Sequence, residues 1–219
     1  MAANSSGWQA VGPSAATGAT WRDVSWNLAE RTAAAVALAV VTPPAIVLGA
    51  AVAILSGRSP LIAHRRVGWR GRTLWMLKFR TMWDGRAGVG LVERVSGFDG
   101  PDKAAGQVGV THSLARWMRR YSIDELPQLW HVITGEMALV GPRPITYQEM
   151  MEHYGSSAEA VIAVRPGLTG LWQIRGRSKL TYRQRRRYDL LLVKKLGPGL
   201  SVKILLRTLP AVFTGENAW

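Results

Sequence analysis

Between Thr32 and Leu55 the chain reads "TAAAVALAVVTPPAIVLGAAVAIL" and carries no charge. A run of about 24 uncharged residues is long enough to span a hydrocarbon core roughly 30 Å thick. A helix that is apolar on every face must bury itself in lipid or in protein, so no other feature restricts the fold as much. At its centre stand Thr42, Pro43 and Pro44. The prolines remove two backbone donors, and their rings oppose the carbonyls one turn earlier, near Ala39 and Val40. A kink is expected there, with Thr42 able to satisfy part of the freed backbone. Each half is then about ten residues, roughly 15 Å of helix, which is half a bilayer. The residues alone leave three geometries open: a kinked spanning helix, a hairpin that enters and leaves by one face, and a buried helix of a soluble protein. The downstream flank carries Arg58, His64, Arg65, Arg66, Arg70 and Arg72, which marks it as cytoplasmic. Upstream, Arg22 and Arg31 are balanced by Asp23 and Glu30, so charge does not place that side.

The first twenty or so residues are small and polar without periodicity and read as a disordered tail. They lack the basic start and apolar core of a secretory signal. Trp21–Arg31 is expected to form a short amphipathic helix leading into the apolar run. Beyond it, "RRVGWRGRTLWMLKFRTM" alternates basic and apolar residues around Gly-Trp and Arg-Gly, predicting a hairpin with a strand over Thr73–Phe79. Residues 84–109 are rich in Gly and Asp without a period and read as a long mobile loop. Residues 110–120 predict a short helix with a basic end. These elements predict a helix-rich, mixed α/β domain. The expected division is a tail over 1–20, a membrane segment over 21–57 and a catalytic domain over 58–219.

Charge narrows the partners. Lys and Arg total 28 against 14 Asp and Glu, a formal net charge of +14. Such an excess points to nucleic acid, an acidic lipid surface or phosphorylated small molecules. With no cysteine and four histidines, disulfides and thiolate metal sites are excluded and a zinc cluster is not expected.

Against this basic background Asp124 and Glu125 stand side by side in "YSIDELPQLWHVITGEMALVGPRP". Ser122 with Glu125 three residues on fits a capping box, with Pro127 early in the helix and Gly135 placed to end it. Ile123, Leu126, Trp130 and Ile133 recur at helical spacing. Asp124 and Glu125 are thereby expected in a first helical turn, where unpaired amides and the upstream Arg119 and Arg120 keep them ionised. An ionised carboxylate can bind Mg²⁺ or attack phosphorus. It can equally do no more than cap a helix. Further on, "VRPGLTGLWQIRGR" places Arg165, Arg175 and Arg177 among Gly167, Gly170 and Gly176. Glycines let amides approach an anion closely, and guanidinium forks match phosphate oxygens. A solvated, turn-rich connector has the same composition.

Taken together, "RVGWRGRTLWMLKFRTM", "RRYSIDELPQLWHVITGEMALVGPRP" and "VRPGLTGLWQIRGRS" resemble the bacterial sugar transferase family, the monotopic phosphoglycosyl transferases that start glycan assembly on a polyprenyl carrier. The likeness runs from about Trp26 to the C-terminus. It implies a cytoplasm-facing catalytic domain at the bacterial inner membrane. The anchor would be a re-entrant helix kinked at Pro, and Thr42-Pro43-Pro44 stands at the kink, which selects the hairpin. It also implies that Asp124 is a nucleophile and metal ligand that attacks the β-phosphorus of a UDP-sugar. UMP leaves, and polyprenyl (undecaprenyl) phosphate then takes the phosphosugar. Glu125 would orient Asp124 or accept a proton, and Mg²⁺ would neutralise the diphosphate. Lys78, Arg80, Arg119, Arg143 and Arg177 match the family's basic positions and are the expected phosphate contacts. Gln173 and Arg175 are candidates for the nucleotide or sugar, and Asp189 for a supporting role. His131 and Ala138 stand where the family often has Asn and Ser; Leu191 and Ser201 replace an aromatic and an Asp.

The C-terminal "RQRRRYDLLLVKKLGPGLSVKILLRTLPAVF" mixes apolar faces with clustered bases, as do amphipathic helices lying on an anionic membrane. A homodimer is compatible with such interfacial helices. Two rival functions remain: a membrane-anchored nucleic-acid binder and a non-catalytic scaffold. No reader module is present for the first, so nucleic acid is not expected as a partner, and the Asp124–Glu125 pair argues against the second.

Overall fold

The apolar run lies within a single long helix, α1 (Trp21–Ser56), that continues through both prolines. The computed structural model describes residues 21–82, 90–95, 112–176 and 179–214. The expected tail therefore lies outside the described residues. No gap in α1 separates two helices at Pro43 and Pro44, and the amphipathic segment before the run is its continuous first part. Thr42 does supply a side-chain bond, but its hydroxyl donates to the Leu38 carbonyl at 2.6 Å. That oxygen lies one residue before the two opposed by the proline rings.

One face of α1 is docked along its length. Ala34, Ala37, Leu38 and Val41 pack with Leu74, Met76, Leu129, Val132 and Met137. Further along, Ala45 and Val52 join Phe79 and Met118. The remaining surface keeps large aliphatic side chains in the open, among them Val36, Val40, Ile46 and Val47, with Ile54 81 % exposed. Only 11 % of the apolar window is buried in the protein. A core helix of a soluble domain would be mostly covered, so that alternative is set aside. By length and composition α1 can cross a membrane.

The predicted hairpin forms as β1 (Leu61–Val67) and β2 (Thr73–Phe79), antiparallel from Leu61↔Phe79 to Val67↔Thr73. A short turn of 3-10 helix at Trp69–Gly71 joins them, with Arg70 and Gly71 at positive φ. The stretch expected to be one long loop contains a strand. β3 (Val92–Val95) adds parallel to the other edge of β1, with Ile62 opposite Glu93. Its β-branched ends suit a strand, and Glu93 is held by Arg58 and Arg80 from two directions. Residues 84–89 and 96–109 lie outside the described residues.

The second half is helical around a two-stranded parallel sheet. α2 (Ser113–Arg120), a 3-10 segment (Ile123–Gln128) and α3 (Leu129–Thr134) lead into β4 (Ala138–Val140). After it, α4 (Tyr147–Glu149) opens with a capping box from Thr146 and widens into a π-helical turn, Met150–Tyr154. α5 (Ala158–Ile162) precedes β5 (Gly167–Thr169), which pairs with β4 through Ala138↔Gly167 and Val140↔Thr169. α6 (Tyr182–Lys195), with its own capping box from Thr181 and Gln184, and α7 (Pro198–Thr214) close the chain. Leu192 and Ile204 pack against Val140 and Leu171, while Leu191, Val202 and Leu206 stay exposed.

Candidate active site

The acidic pair reaches its place by a different route from the expected capped α-helix. Ser122 is left-handed, with φ 55 and ψ 25, and its side chain caps nothing. The segment from Ile123 is a tighter 3-10 helix, and the α-helix starts only at Leu129. Two features account for this. Ser122 takes the turn out of α2, its amide bonding the Arg119 carbonyl at 3.1 Å, and Pro127 cannot donate to an α-helical ladder. The tighter turn also redistributes the helical faces: Gln128, Leu129, His131 and Val132 are buried, whereas Trp130 is 53 % exposed. Gly135 ends α3 as expected, with φ 81, and Arg31 of α1 donates to the neighbouring Thr134 carbonyl at 2.7 Å.

Asp124 is 8 % exposed. Burial pushes its carboxyl up to about 6, against the pull of Lys78 and Arg119 and with a further push from Glu125. Desolvation therefore outweighs the favourable charges expected to keep it ionised, although at neutral pH the carboxylate still predominates. Glu125 is held from two sides: Lys78 Nζ donates to Oε1 at 3.0 Å, and Arg143 Nη1 lies 3.5 Å from the same oxygen. Strand β2, the 3-10 segment and the Gly141–Pro144 loop thus converge on the two carboxylates. These pairs keep some solvent contact, so their value lies in placing charge more than in stability.

Arg143 also joins the site to α6. Its guanidinium lies 5.8 Å from the Trp172 ring centroid, and Arg185 stacks there at 4.9 Å. Asp189 is fully buried; it accepts from the Tyr154 hydroxyl at 2.8 Å and lies beside the Arg143 backbone amide. Burial pushes its carboxyl up to about 7, opposed by that phenol and by Arg143 and Arg185. Asp189 thus supports the loop that carries Arg143.

Other expected contacts fall elsewhere. Arg80 is buried, donating to the Ser59 carbonyl at 2.9 Å and to Glu93 at 2.7 Å. Gln173 donates to the Leu168 carbonyl at 3.2 Å, and Arg175 is exposed. Arg177 lies outside the described residues. Arg165 faces Glu30 of α1 and donates to Asn27. The glycines of this run serve packing. A Cβ on Gly141 would sit 2.5 Å from the Arg165 carbonyl, and one on Gly167 would land on the Gly141 amide. The close approach is of one strand to another.

Several partners escape sequence reading. Glu93 pairs with Arg58 and Arg80, Tyr154 with Asp189, and Glu136 with His131 at 2.6 Å. His131 also accepts the Leu77 amide on Nε2 at 3.2 Å, tying α3 to the strand that supplies Lys78. The one visible signal was a lone acid in otherwise basic or apolar surroundings, as at Glu93 and Glu30.

A buried carboxylate under the charges of Lys78 and Arg119, with Arg143 on the adjoining Glu125 and a long apolar helix alongside, has the chemical makings of group transfer at phosphorus. The family model described as Bacterial sugar transferase matches residues 21–215, and the chain belongs to that family. The exopolysaccharide production protein ExoY of Rhizobium meliloti is 38 % identical over 196 residues, covering 85 % of this chain and 84 % of that protein. The UDP-glucose:undecaprenyl-phosphate glucose-1-phosphate transferase of Caulobacter vibrioides is 34 % identical over 211 residues, covering 90 % and 73 %. The undecaprenyl-phosphate galactose phosphotransferase of Salmonella typhimurium is 33 % identical over 170 residues, covering 74 % of this chain but 35 % of that longer protein. In keeping with these relatives, the chain is an enzyme of the phosphoglycosyl transferase type.

Proposed function

We propose that this enzyme transfers a sugar-1-phosphate from a UDP-sugar to polyprenyl (undecaprenyl) phosphate, through a phosphosugar carried on Asp124. The observation that carries the reading is the position of Asp124: nearly buried, next to Glu125, under the charges of Lys78 and Arg119. In the first step an Asp124 oxygen bonds the β-phosphorus, and the bond to UMP breaks with its electrons leaving on UMP. In the second, an oxygen of polyprenyl phosphate attacks the same phosphorus. The acyl-phosphate bond breaks, Asp124 is restored and polyprenyl-diphosphate-sugar departs. Lys78, Arg119 and Arg143 offset the charge gathered on the phosphoryl oxygens. Glu125, fixed by Lys78 and Arg143, orients the nucleophile.

Mg²⁺ is the proposed cofactor. Among the described residues no group of three or more His, Asp or Glu could cage a metal. Mg²⁺ needs no such cage, since it binds through one or two carboxylates together with substrate phosphates. The donor set therefore fits, with Asp124 as the protein ligand. When bound, the ion supplies charge neutralisation of the diphosphate.

The re-entrant form of α1 is supported by its contacts. Arg31 near one end bonds Thr134, and Val52 near the other packs with Phe79 and Met118. A helix crossing the whole bilayer would carry one of these ends away from a domain on the other side by about 30 Å. Both ends, the cytoplasmic face of the bacterial inner membrane and contact with anionic lipids belong to one arrangement.

The test is release of UMP by purified full-length protein given Mg²⁺, polyprenyl phosphate and a panel of UDP-sugars. We expect turnover with at least one sugar, loss on the order of 10³-fold in Asp124→Asn, and a mass adduct of one phosphosugar with UDP-sugar alone. Wild-type rates in Asp124→Asn would sink the reading.

A further inference from the structure

Among the described residues two further carboxylates are buried, Asp189, which lies beside the Arg143 loop, and Glu30, which has no part in the account above. Glu30 sits in α1 just before the apolar run and is 6 % exposed. Its carboxylate lies against the backbone amides of Leu139 and Val140 in β4 and the Trp26 side chain, which favour its charged form. The Arg165 guanidinium faces it, donates to Asn27 at 2.5 Å and lies 5.1 Å from the Trp69 ring centroid. Next in the helix, Arg31 holds the Thr134 carbonyl. A polar seam therefore closes α1 onto α3, β4 and the approach to β5.

The seam fills a gap in the fold. Among the described residues β4 pairs with β5 alone, and amides on the other edge of a strand need partners when covered. Glu30 provides them from another element. Arg165 supplies the counter-charge that a buried carboxylate requires.

From Val140 the chain has little slack before the active site. Gly141 is pressed against the Arg165 carbonyl, and Pro142 has a fixed φ. Arg143 follows, with its side chain toward Glu125 and its amide beside Asp189. A displacement of β4 must therefore reach Arg143.

We propose that Glu30 is a positioning residue for the transfer reaction: by holding the β4 amides from the membrane helix, it sets the Gly141–Pro144 loop and thereby aims Arg143 at Glu125. The role in transfer rests on the phosphoglycosyl transferase reading above. It makes the seating of α1 part of the catalytic geometry as well as the anchor.

A double-mutant cycle on the full chain tests it, with Glu30→Gln, Arg143→Lys and the pair, read as UMP release. Glu30→Gln is nearly isosteric and keeps the fold testable where Glu30→Ala does not fold. The expected result is a kcat on the order of 10-fold to 100-fold lower in Glu30→Gln, as for small misplacements of catalytic groups, with KM for the UDP-sugar within about 3-fold. The double variant should be barely worse than Arg143→Lys alone, because both act through one contact. Losses that multiply, or a wild-type kcat in Glu30→Gln, would overturn the proposal. Peptide hydrogen exchange gives a second arm that needs no turnover. Faster exchange in Glu30→Gln confined to residues 137–144 supports the seam, and unchanged exchange there refutes it. Should wild-type protein release no UMP, the transferase reading fails while this arm still decides whether Glu30 holds the loop.

Discussion

At the scale of the residue, the site is governed by a contest between burial and charge at Asp124. Desolvation raises its carboxyl to about 6, while Lys78 and Arg119 pull the other way. In the proposed reaction the attacking form is the carboxylate, so kcat/KM should fall as pH drops through about 6. Removing Lys78 removes the larger opposing charge and also releases Glu125 from its 3.0 Å contact. In Lys78→Met the acid limb should therefore move to higher pH; a pH–rate profile with the limb unmoved would show that Lys78 does not tune Asp124. The sequence singled out Asp124 and Glu125 but not their environment. Adjacent charges are visible in a string of letters, and their sum favoured a fully ionised pair. Desolvation is not visible, because it depends on how β2 and the neighbouring helical segments close over the site.

At the scale of the element, hairpin strand β2 forms where alternation predicts it, over Thr73–Phe79. The helix after Asp124 does not start where the capping pattern predicts, because a left-handed Ser122 and Pro127 impose a tighter 3-10 turn. Strand β3 escapes notice because its short run makes sense only once Arg58 and Arg80 meet Glu93. The β4–β5 seam is the least forgiving element. Gly167 abuts the backbone of Gly141, and main chain cannot rotate aside as a side chain can. Gly167→Ala is expected to lose more than about 4 kcal/mol, in the range reserved for forced backbone movement. Gly197→Ala, where no atom lies within 4 Å of the added carbon, should melt within a few degrees of wild type. Equal melting temperatures for the two variants would contradict the close packing.

At the scale of the whole molecule, α1 is both a membrane-compatible helix and a structural wall: its exposed face is aliphatic, while its docked face helps to build two cores. The absence of cysteine makes its topology directly measurable. Single cysteines at Ala29 and Ser56 in intact spheroplasts should both resist a membrane-impermeant maleimide and both react after lysis. Labelling of either one before lysis would establish a spanning helix and end the re-entrant reading. The sequence by itself determined the long uncharged helix, the basic excess and the motif set that places the chain among bacterial sugar transferases, because each is a property of local composition and order. Only the tertiary structure decided that Arg80 pairs with Glu93, that Arg165 and Glu30 lock α1 to β4, and that Asp124 is held under Lys78. Those outcomes depend on which residues, distant in sequence, share one buried space, and neither spacing nor charge count carries that information.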